Sequence, residues 1–378
     1  MPLMSTDPLP AICVEGSPRE RGAQHGQLLR DRVELAVAQY LERFAHFGNL
    51  DRAGARREAR RYIDPIREYD LEILEEIEGI AEGSGLAFED ILAINCRSEL
   101  MFGTNLIMEC SSFALQPAVT ETGHAYVGQN WDWAPDIQST LAIVAVRQEP
   151  DKPDVVLLDE AGLVGRMGFN SDGIGLCTNT LIADQDRPAG VPYNVLLRGV
   201  LNTRRLDDAI GALIREDRAI CSNYMIGDQR GQVLDIELTP DQYDHIGPAD
   251  GIVVHGNHFA GPRLAVRDRS VEKWPDSLYR ECRIRQILSA TTPAIRVEDM
   301  MEALRDGFGH PNAVCRHADE TAAPFDQLQT VASIIVDCEL RECWIAPGPP
   351  DIAEYTHYTL ASFGLPEPVQ DSDAQPRS

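Results

Sequence analysis

The hydrophobic pattern of this 378-residue chain changes close to Cys110, and that change limits the possible folds more than any other feature. Before Cys110, apolar side chains recur near the 3.6-residue period of an α-helix. After it, short apolar runs rich in β-branched residues alternate with turn residues, as the strands of a sheet do. The sequence therefore predicts a helical N-terminal segment followed by a sheet-rich body.

The predicted elements are short and closely spaced. Helices are expected at residues 18–44, 64–82, 88–94, 194–216, 277–288 and 297–304. Strands are expected at residues 112–115, 125–127, 141–146, 155–158, 173–178 and 252–254, and in two hairpins, 224–227 with 233–238 and 331–336 with 343–345. Because strands and helices interleave, we predict an α+β fold in one domain, with helices packed outside antiparallel sheets.

Two local signals mark helix ends in the N-terminal segment. Ser17, Pro18 and Glu20 form the pattern of a capping box, with serine at the N-cap and proline at the first helical position. Gly83 and Gly85 flank a serine after the second helical region. Since glycine pairs of this kind interrupt helices, we predict that the helix ends at this point.

The net charge of the chain argues against some classes of binding partner. It carries 34 Lys and Arg against 60 Asp and Glu, a formal charge of −26 at pH 7. Such a surface repels phosphate backbones and anionic membranes, so we expect neither nucleic acid nor a membrane as partner, and we favour small neutral or cationic molecules. The two lysines, Lys152 and Lys273, stand beside no serine, histidine or glycine-rich motif, so a catalytic lysine is not expected.

The start of the chain and its cysteines indicate a cytoplasmic protein. The first residues lack the basic region and apolar core of a signal peptide, and no window reaches eighteen consecutive apolar residues. The nine cysteines are an odd number without a CxxC pair. We therefore expect most of them to be reduced, buried and inert.

Cys110 gains a general base of its own if it becomes the N-terminus of a chain. Its α-amine then serves as general base for its own thiol, because their ordinary pKa values, about 8 and about 8.5, are close. Releasing that amine requires the thiol to attack the carbonyl of Glu109 and water to hydrolyse the resulting thioester. By residue type alone, however, each cysteine is better explained as a buried structural thiol.

A set of motifs in fixed order resembles the acyl-coenzyme A:6-aminopenicillanic acid acyltransferase (isopenicillin-N acyltransferase) family of autoproteolytic N-terminal-nucleophile hydrolases. The two most informative are residues 110–113 (CSSF) and 128–133 (GQNWDW). The others are residues 16–26 (GSPRERGAQHG), 95–100 (NCRSEL), 170–175 (NSDGIG), 256–259 (GNHF) and 310–317 (HPNAVCRH). Together they span nearly the whole chain.

The resemblance implies a role for three residues and a four-layer αββα sandwich of two antiparallel sheets between helices. Cys110 matches the nucleophile and first residue of the β chain, and Asp132 the aspartate placed near the new amine. Asn257 matches the asparagine whose side-chain amide helps to form the oxyanion hole. The expected division is residues 1–109 as a mostly helical α chain, 110–365 as the catalytic β chain and 366–378 as a mobile tail, with the two chains remaining associated.

Each of these matches has an alternative in the residues themselves. Asp132 is also explained as an outward strand residue or an Asx turn, and Asn257 as a loop cap. Residues considered for a pocket wall or a supporting role are Asn130, Trp131, Trp133, Ser222 and His258. Glu109 departs from the glycine of the fungal enzymes, and its carboxylate would raise the thiol pKa, crowd the N-to-S shift or act as a local base.

The predicted reaction is the cleavage of a carboxamide through a cysteine thioester, with the acyl group passed to water or an amine. The partners are then a small amide substrate, with an acyl donor and an amine acceptor if transfer occurs. No cofactor or metal is expected, and the absence of a basic phosphate-binding cluster favours hydrolysis over coenzyme A-dependent transfer. A metal-dependent hydrolase is the competing class, with His255 and His258 opposite His310, Cys315 and His317, and a non-catalytic amide-binding relative is the third.

Overall fold

A computed structural model describes residues 8–101, 109–148, 150–184 and 190–366 of the chain. In residues 8–101, the described part of the N-terminal segment, one strand and seven α-helices follow one another: β1 (Ala11–Val14), α1 (Pro18–Leu28), α2 (Arg30–Gly48), α3 (Arg52–Ala59), α4 (Ile63–Tyr69), α5 (Leu71–Ser84), α6 (Phe88–Asn95) and α7 (Arg97–Met101). The mostly helical N-terminal segment is therefore confirmed. The first two predicted helices are each divided, at Leu29 and at Asp70.

Glycines bring α1 and α5 into close contact. A Cβ atom on Gly22 would lie 2.1 Å from the carbonyl oxygen of Glu76, and one on Gly83 would lie 2.0 Å from that of Ala23. Gly83 therefore lies inside the last turn of α5 as a packing position, and the predicted helix end in residues 83–85 is confirmed. The helix ends at Gly85, which takes the left-handed conformation with φ 78°. The predicted capping box is present, since Glu20 accepts a hydrogen bond of 2.9 Å from the Ser17 amide.

The remaining elements form two sheets and their covering helices. The strands are β2 (Glu109–Leu115), β3 (Tyr126–Trp133), β4 (Leu141–Val146), β5 (Val155–Glu160), β6 (Met167–Asn170), β7 (Gly175–Thr180), β8 (Ser222–Gly227), β9 (Val233–Leu238), β10 (Tyr243–Ile246), β11 (Ile252–His255), β12 (Gln329–Asp337), β13 (Glu342–Ala346) and β14 (Thr356–Thr359). The helices are α8 (Tyr193–Leu201), α9 (Leu206–Ile214), α10 (Ser270–Lys273), α11 (Ser277–Ser289) and α12 (Val297–Leu304).

The two sheets pack face to face between helices. The first has the strand order β1-β4-β5-β6-β7-β8-β9-β10 and the second β11-β2-β3-β12-β13-β14. Strands β2 and β3 pack against β7 and β8, while α8 covers the first sheet and α11 and α12 cover the second. The predicted α+β fold of four layers is thus confirmed, except that β1 joins β4 in parallel whereas all other pairs are antiparallel.

The pairing of β2 with β3 fixes the surroundings of the predicted cleavage point. Cys110 lies opposite Trp131, and Glu109 lies opposite Asp132. Because paired residues point to the same face of a sheet and neighbours in a strand point to opposite faces, Cys110 and Asp132 lie on opposite faces. Within the described residues, no helix combines the length and apolarity needed to cross a membrane.

Candidate active site

The inner face of β2, toward the first sheet, carries the Cys110 thiol. Cys110 is fully buried in the core cluster that contains Trp131. The guanidinium carbon of Arg166 lies 4.0 Å from the centroid of the Trp131 ring. Burial raises the pKa of the Cys110 thiol to about 12, while the positive charge of Arg166 acts in the opposite direction. The thiol is therefore protonated in this form of the chain, and the positive charge of Arg166 favours the thiolate.

The backbone of Cys110 is held by two side chains. Its amide nitrogen donates a hydrogen bond of 2.8 Å to Oδ1 of Asn257, and its carbonyl oxygen accepts one of 2.7 Å from Nη1 of Arg280. Arg280 also donates to Oδ1 of Asn257 at 3.1 Å. These contacts fix the strand at the bond that the sequence predicts to be cut.

The outer face, toward α11, carries a buried group of charges around Glu109. Its Oε2 atom lies 2.7 Å from Nη2 of Arg280 and 2.8 Å from Nη2 of Arg316. Asp276 pairs with both of the same guanidinium groups. Burial nevertheless raises the pKa of Glu109 to about 8, against the pull of Arg316 and Arg280 and with the help of Asp276. At neutral pH the carboxyl is therefore mostly protonated beside the carboxylate of Asp276.

Asp132 lies next to Glu109 on this outer face. Its Oδ1 atom accepts a hydrogen bond of 2.7 Å from Thr330, whereas its buried Oδ2 atom has no hydrogen-bond partner among the described residues. Nε of Arg316 is 3.9 Å from Oδ2. Burial raises the pKa of Asp132 to about 6, with Arg316 and Arg280 opposing the shift. The carboxyl is ready to accept one more donor.

Asn257 follows β11, and both polar atoms of its side chain are hydrogen-bonded. Its Oδ1 atom receives the hydrogen bonds from Cys110 and Arg280, and its Nδ2 atom donates to the carbonyl oxygen of Thr180 at 3.0 Å. The backbone amide of Asn257 donates to Oγ of Ser277 at 2.6 Å. The structure brings Asn257 to Cys110 as predicted, but directs its amide nitrogen to Thr180, so its role at an oxyanion stays a prediction.

The five supporting residues named from the sequence lie in different places. Trp131 packs beside Cys110, whereas Trp133 donates a hydrogen bond of 3.1 Å to the hydroxyl of Tyr40 in α2. Asn130 points to the outer face and donates to the carbonyl oxygens of Leu304 and Val314. Ser222 begins β8, and its buried Oγ has no hydrogen-bond partner in the described residues.

His258 supports Asn257 indirectly. Its Nδ1 atom lies 2.8 Å from Oγ of Ser277, the atom that also binds the amide of Asn257. Burial lowers the pKa of His258 to about 4, so the ring is neutral and Nδ1 accepts a hydrogen bond from the hydroxyl of Ser277. The hydroxyl is thereby oriented to accept the Asn257 amide.

Three arginines in the site were not predicted from the sequence. Arg280 lies in a stretch interpreted only as a helix, Arg166 precedes the unpredicted strand β6, and Arg316 lies within a quoted motif without being singled out. A charged residue in a helical stretch usually faces solvent, and only the fold shows that Arg280 is buried. The alternation along β2 was the available signal that Glu109 and Cys110 lie on opposite faces, whereas the position of Glu109 opposite Asp132 depends on the register of β2 with β3.

The four-histidine set of the competing metal hypothesis does not converge. Nε2 of His255 binds Oε1 of Glu237 at 2.9 Å, and the ring is fully buried. Over the described parts of the chain, the one group of three side chains with metal-ligand geometry is Cys315, His317 and Asp351. Histidines 255 and 258 are not part of it, so that set of ligands was wrong.

Comparison with known proteins gives a consistent set of relatives. The model of the acyl-coenzyme A:6-aminopenicillanic acid acyl-transferase family matches residues 119–351, which include Asp132, Asn257, Arg280 and Arg316. The acyl-coenzyme A:6-aminopenicillanic-acid-acyltransferase 40 kDa form of Emericella nidulans is 24% identical over 351 residues, covering 91% of this chain and 94% of that protein. An uncharacterized protein of Archaeoglobus fulgidus is 21% identical, and the similarity covers 88% of this chain and 62% of the Archaeoglobus protein.

Similar solved structures share little sequence with the chain. A mutant of conjugated bile acid hydrolase from Clostridium perfringens is 14% identical, with a TM-score of 0.45, and the similarity covers 66% of this chain and 96% of that one. Penicillin V acylase from Agrobacterium tumefaciens is 13% identical, with a TM-score of 0.41, covering 63% of this chain and 83% of that one.

Proposed function

The chain belongs to the acyl-coenzyme A:6-aminopenicillanic acid acyl-transferase family, and on that premise we propose that it cuts itself before Cys110 and uses the new N-terminal cysteine to cleave carboxamides. It is an enzyme of the amide hydrolase or acyltransferase type. The observation that carries the proposal is the position of Asp132 relative to the bond between Glu109 and Cys110. Asp132 pairs with Glu109 across the sheet, next to Cys110 in the chain, and its buried Oδ2 atom has no hydrogen-bond partner among the described residues.

Self-cleavage begins when the Cys110 sulfur attacks the carbonyl carbon of Glu109. The carbon–nitrogen bond breaks as the carbon–sulfur bond forms, and the thiol proton ends on the departing amine. Water then hydrolyses the thioester, which leaves a carboxylic acid on Glu109 and a free thiol on Cys110. Arg280 and Asn257 hold the backbone on both sides of the Cys110 α-carbon, so the sulfur can approach while the strand stays in place.

The charges of the outer face fit the products of this step. Before cleavage, Arg280 and Arg316 are balanced by Asp276 and Asp132, with Glu109 mostly protonated. Cleavage adds an amine at Cys110. Asp132 is the acid placed to receive it, because a nearby carboxylate stabilises the ammonium form by opposite charge. The α-amine and the thiol both belong to Cys110, so a proton can pass directly between them.

The mature enzyme repeats the same chemistry on a substrate amide. The Cys110 sulfur attacks the substrate carbonyl, the α-amine takes the thiol proton and passes it to the leaving amine, and a thioester remains. Water or a second amine attacks the thioester and regenerates the thiol. In the proposed oxyanion role, the Asn257 amide nitrogen turns from Thr180 to the developing negative charge, together with backbone amides.

The contacts between the two expected chains support their staying together after cleavage. Tyr40 donates a hydrogen bond of 3.0 Å to Glu160 and accepts one from Trp133. Arg198 binds Glu76 at 3.0 Å, and all these side chains are buried. Buried polar contacts of this kind are costly to break, so residues 1–109 would remain bound to residues 110–365. We place the enzyme in the cytoplasm, where a reducing environment would keep Cys110 as a thiol.

Trapping of the acyl-enzyme tests this function directly. The processed protein is mixed with a panel of N-acyl amines and peptides, quenched in acid and digested, and the peptide that begins at Cys110 is analysed by mass spectrometry. We expect the acyl mass on Cys110, removable by hydroxylamine as thioesters are. Turnover of an amide with the acyl group on another residue, or with no covalent intermediate in rapid quenching, would overturn the proposal.

A further inference from the structure

Three side chains with metal-ligand chemistry converge at the surface, on the other side of Arg316 from the Cys110 site. Sγ of Cys315 lies 3.2 Å from Oδ1 of Asp351, and Nε2 of His317 lies 2.9 Å from Oδ2 of Asp351. Sγ of Cys315 and Nε2 of His317 are 4.0 Å apart. The two shorter distances involve different oxygens of the Asp351 carboxylate, and one ligand atom from each residue can be chosen so that all three lie within 4.8 Å of one another.

We propose that Cys315, His317 and Asp351 bind one divalent transition-metal ion, with Zn²⁺ as the preferred metal. Zinc binds sulfur at about 2.3 Å and nitrogen or oxygen at about 2.0–2.2 Å in tetrahedral geometry, which requires ligand atoms roughly 3–4 Å apart. The separation of 4.0 Å between Cys315 and His317 lies at the upper end of that range, and the 4.8 Å limit on the three ligand atoms leaves a small closure for the side chains to make on binding. A thiolate and an imidazole also select a transition metal over Mg²⁺ or Ca²⁺, which prefer oxygen ligands.

The three ligands are held by their own backbone, so little ordering is needed on binding. The amide of Cys315 donates to the carbonyl oxygen of Asp306 at 3.0 Å, and that of His317 to Pro311 at 3.3 Å. Asp351 lies in a turn that Arg305 fixes through a hydrogen bond of 2.9 Å to the carbonyl oxygen of Pro350. Preorganised ligands reduce the entropic cost of binding.

The site is open on one side. The side chain of Asp351 is 39% exposed and that of His317 is 21% exposed, whereas Cys315 is buried. An ion can therefore enter from solvent and keep water as a fourth ligand. The ring of His310, with its centroid 5.4 Å from that of His317, is a second candidate for that position.

The charge of the site balances when the ion binds. The Cys315 thiol releases one proton to solvent, and the thiolate and the Asp351 carboxylate then neutralise the two positive charges of the metal. The acidic surface of the whole chain also raises the local concentration of cations. Sulfur–metal and oxygen–metal bonds replace the weak hydrogen bond between the thiol and the carboxylate.

The position of Arg316 between two of the ligands gives the metal a structural role. Its neighbours Cys315 and His317 point to the proposed metal site, while its guanidinium points inward to Glu109 and Asp276. A bound ion would fix residues 315–317 and so hold Arg316 against the outer face of β2. The ion would touch no atom of the proposed reaction, so the metal site and the cysteine mechanism can be tested, and refuted, independently of each other.

A cobalt titration of the full chain tests the site, because Co²⁺ is a coloured substitute for Zn²⁺. The protein is stripped with a chelator, kept reduced and titrated with CoCl₂. We expect one Co²⁺ per chain, with thiolate-to-cobalt charge-transfer absorption and visible bands of a tetrahedral ion, both lost when one equivalent of Zn²⁺ is added. Absence of the charge-transfer band in the folded wild-type protein would overturn the proposal.

Two variants and a matched control assign the band to the site. Cys315→Ser should lose the charge-transfer band, while Cys282→Ser, a change at an exposed cysteine, should keep it. Asp351→Asn should weaken zinc affinity by at least the roughly 10–100-fold that loss of a supporting partner costs at metal sites. If Cys315→Ser fails to fold, unchanged affinity in folded Asp351→Asn, checked by circular dichroism, refutes the site. Measured in the uncut Cys110→Ala background, these readouts do not depend on whether the chain cleaves itself.

Discussion

The two faces of strand β2 differ in the number of charged groups that surround them. The inner face surrounds the Cys110 thiol with the core, the Trp131 ring and one cation, Arg166. The outer face holds Glu109 and Asp132 within a buried network of guanidinium and carboxyl groups. Neighbouring residues of one strand therefore meet opposite environments, so the nucleophile approaches from one side while the charges of the proposed products are accommodated on the other.

The largest effect is expected from removing the Cys110 thiol, the inner-face group that forms a covalent bond in the proposed reaction. Cys110→Ala should leave the chain uncut and lower amide turnover by about 10⁴-fold or more, because no other described residue replaces the nucleophile. A denaturing gel with intact mass and an amide assay would measure both. Cys282→Ser, at an exposed cysteine, serves as the control and should process and turn over normally.

Asp132→Asn removes a charge from the outer face and keeps its shape. The variant should fold, but turnover by the processed enzyme should fall on the order of 10²-fold, since the α-amine loses the carboxylate that sets its pKa. A pH–rate profile would check this, with the limb that reports the amine moved to lower pH. Asp136→Asn, the same change at a half-exposed residue four positions along, should leave the profile unmoved. Equal profiles for both variants would show that Asp132 is structural.

Arg280→Met tests how much the buried ion pairs on the outer face of β2 contribute to the stability of the fold. In the uncut Cys110→Ala background, loss of one buried guanidinium should lower the free energy of unfolding by about 3–5 kcal/mol, because Asp276 and Glu109 lose a buried partner. Denaturant unfolding gives the value. Arg283→Met, in the same helix but in a partly exposed pair with Asp306, should cost only about 0–1 kcal/mol. Equal costs for the two variants would contradict the importance assigned to the outer face.

The pH dependence of the uncut chain should isolate Glu109. Its pKa is raised to about 8, above its ordinary value of 4.5, so the folded chain holds a proton that the unfolded chain releases. Its contribution to stability is full below pH 4.5 and is lost as pH rises through 8. Unfolding temperatures of Cys110→Ala and of Cys110→Ala with Glu109→Gln should therefore differ in slope across that interval, with the glutamine variant flatter. Parallel curves would show that Glu109 is ionised in the folded chain.

Much of the fold followed from local sequence signals, and the misses have physical reasons. Strand β4 and helix α12 have the predicted bounds, because a continuous apolar run and a clear helical period leave little ambiguity. Strand β6 was missed because Gly168 and a neighbouring arginine interrupt its apolar run. The break at Leu29 was also missed, since the residues around it continue the helical pattern.

The site was predictable where motifs carry it and not where the fold assembles it. Cys110, Asp132 and Asn257 were named from the sequence, and the structure places all three together, although their roles stay proposals. Arg280 comes from a helix 170 residues after Cys110 in the chain, and nothing local distinguishes it from a surface arginine. The net charge of −26 was also a poor guide to the site, because the groups nearest the cleavage point include two buried guanidiniums.

N-terminal sequencing of the purified, active protein is the sharpest test of self-cleavage before Cys110. We predict a chain that begins Cys-Ser-Ser-Phe, from Cys110 onward, in equal amount to the N-terminal chain that it was cut from. An active preparation with a single N-terminus and the mass of the intact chain would contradict self-cleavage, because the thiol would then have no α-amine to act as its base.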